Sequence, residues 1–109
     1  MAPIVNIEHA IWQSPAARRI RRELVQANVE RALVARHFHL SSPLHGCPVC
    51  DPRRILFVTG EFDSIAPPAE IEAIHQTWRG SELLRVRQGH FGYRMMRETI
   101  ACLKRRGDL

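Results

Sequence analysis

The chain has 109 residues, near the lower limit for a self-sufficient core, so it holds one small domain. Hydrophobic residues make up 45% and charged residues 25%, which excludes a disordered chain, and no apolar run approaches the length of a membrane span. The formal net charge of +5 includes two clusters, Arg18, Arg19, Arg21 and Arg22 in one and Lys104, Arg105 and Arg106 in the other. They read as a solvated helix face and a cation-rich helix end, and without interleaved aromatic residues charge alone supports nucleic-acid binding.

Residues 1–13 form a lead-in segment whose apolar Ile4, Val5, Ile7, Ile11 and Trp12 keep no clean period, so a short strand or extended chain is expected. No basic stretch precedes an apolar one there, which argues against a secretory signal and makes a cytoplasmic location the default. Ser14-Pro15 is a strong helix start, with serine as N-cap and proline at the first helical position. From there to Phe38 no glycine or proline intervenes, and the spacing predicts one long amphipathic helix over 14–38. Residues 39–53 carry Pro43, Pro48, Pro52 and Gly46 and read as a connector.

Residues 54–109 then read as a β-α-β-α unit. Arg54–Thr59 is a short apolar run that suits a parallel strand covered on both faces. Gly60–Pro67 is the loop at its end, and Pro67 or Pro68 opens a helix to about Trp78 with Ile71, Ile74, His75 and Trp78 on one face. Gly80 stops it. Glu82–Arg87 is a second strand, Gln88-Gly89-His90 its closing turn, and Gly92–Arg106 a final helix with Met95, Met96, Thr99, Ile100 and Leu103 at helical spacing. The order is helix, strand, helix, strand, helix. Two strands joined through a helix are parallel, so the class is α/β.

Ligand sites in open parallel sheets gather outside the carboxyl ends of the strands. Both strands here end in a glycine followed by a chemically capable group, Asp63 after the first and His90 after the second. Neighbouring parallel strands set those ends side by side. A carboxylate bonded to one imidazole nitrogen fixes the tautomer and frees the other nitrogen to act as a base. Asp63 is equally able to bond its own loop or cap the following helix, His90 to cap the last helix, and Glu61 is a second-placed candidate acid.

Gly60-Glu61-Phe62-Asp63-Ser64-Ile65-Ala66-Pro67-Pro68 resembles the acid loop of α/β-hydrolase-fold enzymes, often written G-x-x-D-x-x-x-P. Gln88-Gly89-His90-Phe91-Gly92 resembles their histidine loop, and the element order from about residue 52 to 106 is similar to the C-terminal end of that superfamily. The resemblance implies a partial α/β-hydrolase-like unit in which Asp63 orients His90 and His90 acts as general base, then acid, in hydrolysis of an ester or similar acyl bond. It also implies that residues 14–38 correspond to a lid-like or cap region.

The same resemblance calls for a nucleophile elbow, usually Gly-x-Ser-x-Gly. None of Ser14, Ser41, Ser42, Ser64 or Ser81 has glycines at those offsets, and no oxyanion-hole loop is recognisable. A sheet of two parallel strands is also too narrow for independent stability. The expectation is therefore a chain inactive alone, completed by a missing N-terminal hydrolase portion or by self-association, with a small-molecule substrate only when whole.

A second constellation competes. His37, His39, His45, Cys47 and Cys50 lie close in sequence, and Cys47-Pro48-Val49-Cys50 has the spacing that lets two thiolates grip one zinc. His39, His45, Cys47 and Cys50 would be the ligands of a small zinc-stabilised interaction module. A disulfide or redox pair and an ordinary loop with reduced thiols are the other readings. On the hydrolase reading no cofactor is expected. Cys102 reads as core.

Overall fold

The computed structural model describes residues 4–109 as five α-helices and two strands, linked by short 3-10 turns. The lead-in is not a strand. It forms helix α1 (Ile7–Gln13), capped by Asn6, whose side chain accepts the His9 N–H at 3.1 Å. Ile7 and Ile11 stand four residues apart and face inward with Trp12; the apolar Ile4 and Val5 ahead of the cap blur that period in the sequence. Residues 1–3 of the lead-in lie outside the described residues.

Ser14 opens the next element as expected. Its hydroxyl accepts the Ala16 N–H at 3.2 Å, and Pro15 takes the first position of a 3-10 turn. The long helix expected over 14–38 is instead two, α2 (Arg18–Gln26) and α3 (Arg31–Phe38). Asn28 is the break, in the left-handed region at φ 52°. Its N–H bonds to the Val25 carbonyl at 3.1 Å, and the Val29 N–H reaches back to Leu24 at 3.0 Å. That bond pair is a Schellman ending, in which asparagine does what glycine more often does. Leu24 and Val29, the two residues it ties together, both pack on the cluster of Ile11, Trp12 and Val34.

Arg21 does not belong to a solvated cluster. Its Nη1 donates to the carbonyls of Ile11 and Trp12 at 3.0 Å each and of Ser14 at 3.3 Å. A cation thus meets the orphan carbonyls at the end of α1, which has no basic residue in its own last turn. Arg31 lies over the Trp12 ring, 4.6 Å from its centroid.

Strands β1 (Leu56–Gly60) and β2 (Glu82–Val86) pair in parallel, with Leu56 opposite Glu82 and Gly60 opposite Val86. Side chains alternate across the sheet. Phe57 and Leu83 face helix α4 (Pro68–Thr77), where they join Val5, Ile71, Ile74 and Trp78. Val58, Leu84 and Val86 face helix α5 (Arg94–Arg106), packing with Ala66 and Met95. The expected coverage of both faces is therefore present, and the chain is a mixed α/β structure with a two-stranded parallel sheet.

On α5 Met95 and Cys102 are buried and Thr99 and Leu103 half-buried beside them, while Met96 and Ile100 of the set read from the sequence are exposed. Cys102 is core, as expected. Gly107 ends α5 at φ 79°, and the Asp108 N–H returns to Leu103 at 3.0 Å. Among the described residues no helix is long and apolar enough to cross a membrane.

Candidate active site

The site lies where the two strands end. Beyond Gly60 the ladder continues for two further bonds, Glu61 N–H to Val86 at 2.8 Å and Phe62 N–H to Gln88 at 3.1 Å. The Asp63 N–H then folds back on Gly60 at 3.2 Å, a turn that delivers the Asp63 side chain to the loop following β2. Gly60 is required by space rather than by backbone angle. A Cβ there would stand 2.7 Å from the Gln88 carbonyl oxygen and 3.0 Å from that of Gly89.

Asp63 is buried, at 3% exposure, and its two oxygens have separate partners. Oδ1 accepts the N–H groups of Ile65 at 2.9 Å and Ala66 at 2.8 Å, an Asx-type turn within its own loop. Oδ2 lies 2.9 Å from Nδ1 of His90. The local role and the pairing role anticipated as alternatives are both present. Burying a carboxylate is costly unless its lone pairs are satisfied, and this arrangement satisfies them while fixing the direction of Oδ2. The His90 side chain is 9% exposed, and Phe91 packs edge-on against its ring at 4.9 Å. Among the described residues no group hydrogen-bonds to His90 Nε2, and that atom is not among the enclosed unsatisfied ones. Glu61 plays no part; it is exposed and pairs with Arg87 at 3.5 Å.

Gln88 holds the histidine loop, a role the sequence reading did not assign. Its Oε1 accepts the Met95 N–H at 2.8 Å, a donor in the first turn of α5, and its Nε2 donates to the Gly92 carbonyl at 3.5 Å. No side chain nearer in sequence caps that helix. The only advance signal is the glutamine's place between a strand end and a glycine-flanked loop. Gln88→Ala is expected to cost about 1 kcal/mol, since it orphans a helix-end donor. Amide exchange at Met95 would accelerate, and Gln88→Glu, which keeps the acceptor, would restore protection.

Among the described residues no serine hydrogen-bonds to His90. Ser14 and Ser42 are spent on backbone N–H groups, and Ser81 bonds to His75 at 2.9 Å beside the start of β2, the opposite end of the sheet. Helices α1–α3 enclose an apolar trough of about 550 Å³ lined by Ile7, Ile11, Ile20, Leu24, Leu33 and Phe38. A second hollow of about 420 Å³ shares Ile7, Ile11 and Ile20 and reaches Ile65, two residues from Asp63.

The four residues of the zinc reading are not drawn into one ligand set. His39 and His45 stack on each other, 4.2 Å between centroids, while Cys47 and Cys50 are exposed. Among the described residues no three His, Cys, Asp or Glu side chains gather as a metal site. No protein-family model, curated protein or solved structure matches the chain.

Proposed function

We propose that this chain supplies the acid and the general base of a hydrolytic triad acting on an ester or similar acyl bond, with the nucleophile provided from outside residues 1–109. The observation that carries this reading is the 2.9 Å contact between Asp63 Oδ2 and His90 Nδ1 at adjacent parallel strand ends. In the tautomer whose Nδ1 donates to the carboxylate, Nε2 is the acceptor, and among the described residues no group hydrogen-bonds to it, as a general base requires. His90 takes the proton of an incoming hydroxyl through Nε2 and returns it to the leaving alcohol. Asp63 stays ionised and stabilises the imidazolium between those steps. The resemblance of the two loops to the acid and histidine loops of α/β-hydrolases agrees with this, and the second, mostly apolar hollow that reaches Ile65 favours an apolar acyl group.

The test is activity-based labelling of the chain alone and in whatever assembly it is isolated in. A fluorophosphonate probe is expected to leave this chain unlabelled and to label a serine on its partner. Hydrolysis of a nitrophenyl ester by that assembly is expected to fall about 10³–10⁴-fold with His90→Ala. An active assembly whose rate is unmoved by His90→Ala would overturn the reading.

A further inference from the structure

Cys47 and Cys50 carry free, exposed thiols in the segment Gly46–Asp51, well apart from the Asp63–His90 pair in sequence and in use. Both ends of that segment are fastened. The Gly46 carbonyl accepts the indole N–H of Trp78 at 3.0 Å, and the Leu44 N–H bonds to Val5 at 3.0 Å. On the other side the Asp51 carboxylate accepts the Arg53 backbone N–H at 3.0 Å and pairs with its guanidinium at 2.7 Å. The Arg53 side chain holds the Asp51 carboxyl below its ordinary range. The Arg53 carbonyl in turn accepts from Arg106 of α5 at 3.0 Å.

Between these anchors the backbone groups of residues 47–50 make no hydrogen bond among the described residues, and Val49 is fully exposed where the chain bends. The thiols therefore sit on a short free span tied at one side to Trp78 through Gly46 and at the other to α5 through Arg53. Little loop entropy remains to be lost in bringing the two sulfurs together. Among the described residues no group of three or more His, Cys, Asp or Glu side chains gathers around these thiols.

We propose that Cys47 and Cys50 are a reversible oxidation site, a surface dithiol that closes to an intraloop disulfide by exchange with a low-molecular-weight disulfide such as oxidised glutathione. One thiolate attacks a glutathione sulfur, forming a mixed disulfide and expelling one glutathione thiolate. The second cysteine thiolate then attacks the protein sulfur of that mixed disulfide and expels the other glutathione. Overall, the protein dithiol gives up two electrons and two protons, and oxidised glutathione becomes two reduced glutathione molecules. The second step is intramolecular, and the fastened span gives it a high effective concentration over attack by another chain. Cys102, buried on α5, takes no part.

The experiment equilibrates the full chain in glutathione buffers of graded ratio, quenches with acid, and reads thiol blocking and mass by peptide mapping. The expected product is a monomer lighter by two hydrogens, with the bond between Cys47 and Cys50, a single blockable thiol at Cys102, and full reversal by excess reduced glutathione. Cys47→Ser is expected to stop at a glutathione adduct on Cys50, and Cys102→Ser to leave the closure unchanged. Phenylarsine oxide, which bridges paired thiols, is expected to bind once per reduced chain and to lose about tenfold or more of its affinity in either single variant. Glutathione adducts on both cysteines without closure, dimers linked through either, or pairing with Cys102 would each overturn the proposal. None of these readouts depends on hydrolytic activity, so they stand or fall apart from the triad reading.

Discussion

Gly60→Ala is expected to destabilise the fold by about 2–4 kcal/mol and to separate Asp63 from His90. The added Cβ would lie 2.7 Å from the carbonyl oxygen of Gln88 and 3.0 Å from that of Gly89, both backbone atoms with no rotamer to swing aside. The Gln88 oxygen is also the acceptor for the Phe62 N–H, so moving it breaks the last bond that joins the two loops. Relief requires the end of β2 to shift outward and carries His90 with it. Overpacking costs about 1–3 kcal/mol and the lost ladder bond about 1 kcal/mol. Gly89→Ala makes the control. Its Cβ would meet only the Phe62 oxygen at 3.6 Å, an ordinary contact, and a change under about 1 kcal/mol is expected. Urea midpoints for the two variants, with the His90 ring N–H signal by NMR, check both halves. A Gly60→Ala protein as stable as the parent with that signal intact would show that the loops can separate and re-form freely.

The strand ends were legible in the sequence because each carries its own punctuation. A short apolar run, a glycine, and a polar side chain within three positions place Asp63 and His90 on the same edge once the strands are parallel. Parallel pairing follows from the intervening Pro68–Thr77 helix. The N-terminal third was not legible, for two reasons. Asn28 breaks the helix by taking a left-handed conformation, and asparagine is found in helix interiors often enough that its presence does not announce a break. The signal that might have shown it is the repositioned apolar pair Leu24 and Val29, which share no helical face until the chain turns between them. Arg21 was misread because its partners are the backbone carbonyls of α1, and backbone acceptors leave no trace in a list of side chains. Gln88 escaped for the same reason, since the Met95 N–H it caps is a backbone donor. Interactions between patterned side chains can be read in advance; those between a side chain and the main chain of another element require the fold.

Substitution of Asp63 separates its two duties, and the comparison of alanine with asparagine is the sharpest test of the site. Asp63→Ala orphans the Ile65 and Ala66 N–H groups and removes the His90 partner at once, and a loss of about 3–4 kcal/mol is expected from those buried donors. Asp63→Asn retains a carbonyl oxygen for the two N–H groups, so the loop survives at a cost of about 1 kcal/mol. The amide nitrogen then faces His90 Nδ1. Because that nitrogen is a donor, it bonds only to the tautomer with Nδ1 bare and the proton on Nε2. The ring stays in place while its outward nitrogen changes from acceptor to donor, which removes the proposed base without disturbing the scaffold. Nitrogen-15 shifts of the His90 ring are expected to report that exchange of tautomers. Ester hydrolysis in the complete assembly is expected to fall about 10⁴-fold, beside a near-normal unfolding midpoint. If Asp63 served only its own loop, the asparagine variant would keep both its stability and its rate, and the tautomer of His90 would not depend on residue 63 at all.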